Sequence, residues 1–410
     1  MATIAENLTL LKSTKAGIKA AIEAKGVSNV GDKFSDYPAK IASIPTRVGV
    51  SQWTGTVDRA GLTELGWSTT DIDNLQANVR WYDWQDPDYT VVDADKSITD
   101  ISQYSNNKDV RYAKMLDTSQ VTDMSSKFYD CTRLTSIPTL DTSKVTSMRY
   151  LFVSCSSLTT IPALDTSKVT RMDYMFNGCT SLTSIPALDT SQVTRMESMF
   201  VSCSRLASIP ALNTSKVTDM KNMFYGCRNL TSVPTLDTSK VTDMGSMFHG
   251  CTSLTSIPAL DTSKAIYMNS MFNECTSLTS IPALDTSQAI RMNSMFTGCS
   301  SLTSIESIDF SSCTTTSYMF PSYTNYSKLT SIHVTGSISF SWTSDGFSNI
   351  PNLDFNSIKS ILEAMNRCTN PETAKTMSFN STMTDQDSQL TNLVSECNGK
   401  GWTITGLTIN

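Results

Sequence analysis

Between residues 117 and 335 the apolar residues recur in a pattern of fixed length. Phe128, Phe152, Phe176, Phe200, Phe224, Phe248, Phe272, Phe296 and Phe320 are each 24 residues apart. Cys131, Cys155, Cys179, Cys203, Cys227, Cys251, Cys275 and Cys299 keep the same step. Within one unit, Met172, Met175, Phe176, Cys179 and Leu182 fall at i, i+3, i+4, i+7 and i+10. That spacing predicts one face of a short helix. Leu182 and Ile185 then flank a Thr-Ser pair, enough for one rung of a parallel sheet, and Pro186 limits it by removing a backbone donor. Asp189-Thr-Ser reads as a turn, and Val193 brings the chain back inward as a second short strand.

One such unit cannot bury its own Met, Phe, Cys, Leu and Ile, but stacked units cover each other. The fold class expected is therefore an α/β solenoid of leucine-rich-repeat type, because the period lies in the range of about 20–29 residues. Each unit would contribute a short helix and a short parallel strand. Rungs about 4.8 Å apart would make nine units roughly 40 Å long, a curved rod that needs caps.

The ladders have bland explanations. Stacked Cys side chains point the same way, so they are expected to be buried, reduced and unbridged. No Cys-x-x-Cys or Cys/His cluster supports zinc. Asp117, Asp141, Asp165, Asp189, Asp237, Asp261, Asp285 and Asp309, with Asn213 in the gap, look like a pair for glycoside hydrolysis only until their period is noticed. Catalysis needs one special pair, and these are equivalents, so they read as turn formers. Lys144, Lys168, Lys216, Lys240 and Lys264 follow three residues later and relieve like-charge stacking.

The columns that differ from unit to unit are the expected surface. The first reads Asp123, Ser147, Arg171, Arg195, Asp219, Asp243, Tyr267 and Arg291, and the second, two positions on, runs from Ser125 to Asn293. The ninth unit departs from the pattern: Tyr323 stands at the Cys position, and Leu329 and Ile332 arrive three residues late. Aromatic rings stack on apolar sugar faces. Arg171, Arg195, Tyr267, Tyr318, Tyr323, Tyr326 and Trp342 are accordingly the candidate binding residues, with Tyr318, Tyr323 and Tyr326 clustered at the insertion.

The flanks divide the rest. Ile4, Leu8, Leu11, Ile18 and Ile22 carry heptad-like spacing and mark 1–46 as a helical attachment segment. Residues 47–116 hold Trp53, Trp67, Trp81 and Trp84 and read as a small α/β domain or an N-terminal cap. Residues 117–335 are the solenoid. Residues 336–410 read as a C-terminal cap: a helix capped by Asn356 or Ser357, a strand at Thr376–Phe379, a helix through Leu390, Leu393 and Val394, and a closing Trp402-Thr-Ile-Thr.

Composition excludes several classes. Lys and Arg number 32 against 38 Asp and Glu, a net charge of −6, which does not suit a nucleic-acid-coating protein. No apolar run approaches the ~20 residues of a membrane span. The N-terminus lacks the basic and apolar regions of a secretory signal, so synthesis and assembly in a cytoplasm are expected. Two His residues, His249 and His333, make His-based catalysis improbable. No nucleophile–base constellation is visible, so neither an enzyme nor a cofactor is expected.

Met-Phe-x-x-Cys-x-x-Leu-Thr-Ser-Ile-Pro, followed by Leu-Asp-Thr-Ser-Lys-Val-Thr-x-Met, closely resembles the BspA-type leucine-rich repeat across about 115–335. That family is common in surface proteins of gut and oral bacteria and in proteins of their phages. The run from Leu10 to Gly26, with Phe34-Ser-Asp-Tyr-Pro-Ala-Lys-Ile41, is similar to segments in tail-fibre and other appendage proteins of tailed bacteriophages. The resemblance implies a structural virion appendage protein: a tail fibre, baseplate or capsid fibre that binds a host receptor or glycan. Its N-terminal segment would join other virion proteins, and it could form a homo-oligomer. The alternative is a bacterial surface adhesin or interaction scaffold, located on the cell rather than in the virion.

Overall fold

A computed structural model describes residues 105–106, 108, 118–342, 346–368, 375–385 and 387–410, all within the second of two units, Ala94–Asn410. The heptad-like residues Ile4, Leu8, Leu11, Ile18 and Ile22, and the four Trp of 47–116, lie outside the described residues.

The 24-residue units stack as a solenoid, but the segment from Met to Leu is not a helix. It is a chain of overlapping turns. Met175, Asn177, Cys179 and Leu182 donate their N–H groups to carbonyls three residues back, at 3.0–3.2 Å. Between them, Tyr174 (φ 60°) and Gly178 (φ 78°) are left-handed, which no α-helix tolerates. These reversals turn alternate amides outward. Tyr174, Phe176 and Gly178 donate to Glu197, Met199 and Val201 of the next unit, at 2.7–2.9 Å. Along Tyr174–Cys179, successive amides therefore alternate between joining the next rung and closing a local turn. The apolar face deduced from the spacing is nonetheless real: Met172, Met175, Phe176, Cys179 and Leu182 are fully buried.

The strand signal also lies elsewhere than expected. The regular parallel ladder runs through the residue two places after the inward Val (Ala265, Ala289 and Cys313 in the last units), linking Asp123, Ser147, Arg171, Arg195, Asp219, Asp243, Tyr267, Arg291 and Thr315. Among the described residues, the Leu-Thr-Ser-Ile segment forms strands near the end of the stack. There β1 (Ser280–Ile281), β2 (Ser304–Asp309) and β3 (Ser331–Thr335) pair in parallel in that order.

Three side-chain ladders hold the stack. Neighbouring Phe rings from Phe128 to Phe320 lie 5.5–6.1 Å apart with interplanar angles of 2–17°. From Cys155 to Cys299, each thiol donates to the Phe carbonyl of the preceding unit at 2.9–3.1 Å. The cysteines of the described residues are all free and buried. Buried Thr118, Thr142, Thr166, Thr190, Thr238 and Thr286 donate to the carbonyl that opens the next Asp turn, at 2.8–2.9 Å. Outside these, Asp141, Asp165, Asp189, Asp237, Asp261 and Asp285 each accept the N–H of the Ser two residues on, and Asn213 does the same at 3.2 Å. Lys144 and Lys216 reach back one unit to Gln120 and Gln192.

The ninth unit closes the thiol ladder with a different atom. Tyr326, not Tyr323, occupies the Cys place: its hydroxyl donates to the Phe296 carbonyl at 3.0 Å, and its own carbonyl accepts from Leu329 N–H as Cys299 does from Leu302. The three-residue insertion is visible as the pairing Ile305↔Ile332, 27 positions apart.

Beyond it come two helix–strand pairs: α1 (Phe355–Asn366) with β4 (Lys375–Met383), and α2 (Gln389–Gly399) with β5 (Trp402–Ile409). The N-cap of α1 is Asp354, whose carboxylate accepts from Ser357 N–H at 2.7 Å, and not Asn356 or Ser357. Strands β4 and β5 pair in parallel.

Candidate functional site

Residues that vary between units sit on the best-formed ladder of the stack. The position after each ladder residue is a buried Met from Met124 to Met292, so its neighbours on either side stay at the surface. The result is a strip two residues wide: the ladder column from Asp123 to Thr315 and the column two places on.

The strip has two chemically different halves. From Arg149 to Asp219 its charges are spent on one another. Asp173, fully buried, holds Arg171 through both oxygens at 2.9 and 3.0 Å and also pairs with Arg149. Arg195 bridges Glu197 at 2.9 Å and Asp219 at 3.0 Å. Tyr174 donates its hydroxyl to Glu197 at 2.8 Å, and its ring meets that of Tyr150 at 4.9 Å. Burial raises the pKa of Asp219 despite Arg195, and burial followed by the Glu197 bond raises that of Tyr174. Burial works against the charge of Arg195, but Asp219 and Glu197 outweigh it and hold the guanidinium protonated.

From Asp243 to Arg291 no ion pair forms among the described residues, and Asp243 accepts the N–H of Gly245 at 2.9 Å. Asn269, Asn293 and the Tyr267 hydroxyl make no side-chain hydrogen bond among the described residues. Arg291 only covers the Tyr267 ring, 5.5 Å from its centre. Gly245 is buried under its neighbours. A side chain there would begin 3.1 Å from Asp243 Oδ1 and 3.3 Å from Asn269 Oδ1.

The sequence candidates are distributed unevenly over this surface. Arg171 and Arg195 lie on the strip, in the self-paired half, and Tyr267 lies in the other half. Tyr318 and Tyr323 are exposed, at 54% and 72%. Tyr326 and Trp342 are buried, at 2% and 4%, so neither can face a receptor. Tyr326 closes the thiol ladder, and Trp342 packs 4.6 Å from Phe347 and 5.8 Å from Phe320. Asn269, Asn293 and Gly245 are legible in the sequence as members of a variable column, but which of them meets a partner depends on neighbours 24 residues away.

Other groups are placed for structure. Burial pushes the ladder thiols up, to about 12 for Cys251 and Cys299. The Asp141, Asp165, Asp189, Asp237 and Asp261 carboxyls are held below the usual value by hydrogen bonds from the following Ser. Among the described residues no three His, Cys, Asp or Glu gather to hold a metal ion, and no helix is long and apolar enough to cross a membrane.

No curated protein matches the sequence. Among solved structures, the leucine-rich-repeat protein TpLRR of T. pallidum is 20% identical, over 41% of this chain and 76% of its own, with a TM-score of 0.33. A TLR13–ssRNA13 complex is 12% identical, over 75% of this chain and 55% of its own, with a TM-score of 0.22. Both scores are too low to bear on the fold, which stands on the repeat and its ladders. The family described as "Mycoplasma protein of unknown function, DUF285" matches in overlapping copies at 96–208, 122–233, 156–254 and 230–333, together more than half of the 410 residues. The chain belongs to this family.

Proposed function

We propose that this protein is a surface-recognition scaffold carried on a virion appendage, a tail fibre, baseplate or capsid fibre, where it binds a receptor or glycan on the host. The observation that carries the reading is the position of the variable columns. A stack built from near-identical units keeps its core, turns and thiols constant and changes the side chains on its most regular ladder. Rigid display of variable residues is what recognition of an extended surface requires. In this reading residues 1–46 attach the chain to other virion proteins. We assign it no reaction and no cofactor.

One observation favours the second reading, a bacterial surface adhesin or interaction scaffold: the family's description names a cellular bacterium. Immunogold labelling with antibody to the solenoid separates the two. The first reading expects gold on phage particles. Gold on the envelopes of uninfected cells overturns it in favour of the second. Recognition itself is tested by saturable binding of the purified chain to intact bacterial cells, lowered by Tyr267→Ala and left unchanged by Lys168→Ala on the Asp turns. Absence of binding to any cell contradicts both readings.

A further inference from the structure

We infer that the outer edge of strand β5 is an interface for a second copy of this chain, joined by antiparallel β5–β5 pairing about a two-fold axis. Among the described residues the last sheet runs in the order Trp342, β4, β5: Trp342 bridges Met377, and β5 pairs with β4 alone. One row of β5 amides and carbonyls therefore has no strand beside it. Such a row is a template for another strand.

Hydrogen bonds at both ends of β5 fix which residues form that row. At the start, Lys375 N–H donates to the Gly401 carbonyl. By the alternation of a strand, Gly401, Thr403 and Thr405 turn toward β4, and Trp402 and Ile404 turn outward. At the far end, Asn410 N–H donates to the Met383 carbonyl at 2.8 Å. Thr408 and Asn410 therefore turn toward β4, and Leu407 and Ile409 turn outward. The alternation changes phase at Gly406, whose φ of 70° is left-handed and which stands opposite two residues of β4, Phe379 and Asn380. Exposure shows the same change: Thr405 and Gly406 are exposed in succession in a strand that otherwise alternates.

The outward residues, Trp402, Ile404, Leu407 and Ile409, are thus spaced 2, 3 and 2. That spacing reads the same from either end. Antiparallel pairing reverses one strand, so a second copy sets Trp402 opposite Ile409 and Ile404 opposite Leu407, twice over, and every outward group meets another. A regular strand keeps an unbroken alternation and falls out of phase with this edge at Gly406. The break selects against other strands and in favour of an identical one.

From Trp402 to Ile409 β5 has no charged residue and no proline, the residues that guard an exposed edge against pairing. Ile404, Leu407 and Ile409 are half-buried, as are Leu393 and Val394 of α2, which packs on β5. A two-fold axis perpendicular to the sheet puts the apolar strand residues of both copies on one side, where they cover each other. Lys400 precedes β5, and Asp385 lies at its far end, its N–H donating to the Asn410 carbonyl at 3.0 Å. Antiparallel pairing brings each Lys400 to the acidic end of the other copy, whereas parallel pairing sets like charge beside like.

The test is sedimentation of the full chain over a range of concentrations, with two double variants at exposed Thr residues. In this register Thr403 stands opposite Thr408 of the second copy. Thr403→Lys with Thr408→Lys sets like charges against each other at both places, and Thr403→Lys with Thr408→Glu sets opposite ones. The native chain is expected at twice the 44.9 kDa of one chain. The like-charge variant should weaken the dimer about tenfold or more, and the opposite-charge variant should recover it to within about threefold. Hydrogen exchange of the native chain should slow at the Ile404 and Leu407 amides as concentration rises. A native chain of single mass at every concentration overturns the inference. So does a dimer that the like-charge variant leaves within about twofold, because the contact then lies elsewhere. Loss of the dimer in both variants, with circular dichroism unchanged, overturns the register. If a variant unfolds, exchange in the native chain decides alone, and amides indifferent to concentration overturn the pairing.

Discussion

Two stretches of this chain carry nearly the same apolar spacing and fold differently. In the repeat, Met172, Met175, Phe176 and Cys179 are spaced 3, 1 and 3; in the cap, Ile358, Ile361, Leu362 and Met365 are too. The second is the helix α1, and the first is a run of turns. The difference lies in the residues between. Helix α1 carries Lys359, Glu363 and Ala364 and begins at an Asp cap, so its intrinsic preference agrees with its spacing. The repeat places Ser, Asn, Tyr or Gly, and in single units Asp130 and Glu274, at two positions per unit that the structure holds left-handed, such as Ser246 and Gly250. Spacing decides which side chains are buried. Propensity and the availability of neighbouring rungs decide where the amides go.

That contrast makes predictions of different sizes. Phe224 stacks on Phe200 and Phe248 at 5.7 and 5.6 Å, so Phe224→Ala should cost about 3–5 kcal/mol in denaturant unfolding. It removes a ring from two interfaces at once. A loss no larger than that of an exposed substitution would mean that the stack is not the core.

Tyr326→Phe should cost about 1–3 kcal/mol, because the hydroxyl that serves the Phe296 carbonyl is buried. This revises a natural reading of the sequence, in which Tyr326 shares a receptor loop with Tyr323. Tyr323→Ala, at 72% exposure, should change melting little. Equal effects of the two would show that the insertion is not anchored as described.

In the cap, Asp354→Ala should cost about 0.5–2 kcal/mol, the usual range for losing an N-cap. The Asp turns of the repeat should respond less, and mainly to pH. Their folded pKa values lie below the ordinary 3.8. Their contribution is therefore present above that value and is lost as pH falls through the lowered range. Asp189→Asn should be nearly neutral at pH 7, since Asn213 makes the same turn in its own unit, and should flatten the acid loss. A melting temperature indifferent to acid would contradict the turn role.

Much of this was open to reading in the sequence. Period, buried columns, free thiols and turn-forming Asp follow from one unit repeated. The helix assignment failed because Met-x-x-Met-Phe-x-x-Cys satisfies both a helix and a train of three-residue hydrogen bonds. The signal that separates them was present: Gly178, Gly226, Gly250 and Gly298 recur just before Cys, where a helix interior disfavours them. Trp342 and Tyr326 looked like surface rings because composition does not show which rings a cap covers. Within the candidate site, the identities of Tyr267, Asn269 and Arg291 were legible, but not that Arg171 and Arg195 are spent on Asp173, Glu197 and Asp219.

Whether the Met-to-Cys segment is a train of turns or a helix shows at Ser270, whose φ is 56°. In a helix, alanine is better than glycine by about 1 kcal/mol. In a left-handed turn the order reverses by about 1–2 kcal/mol, because only glycine escapes the Cβ clash. The melting temperatures of Ser270→Gly and Ser270→Ala should therefore rank glycine above alanine. Alanine above glycine would contradict the left-handed turn and return the segment to a helix.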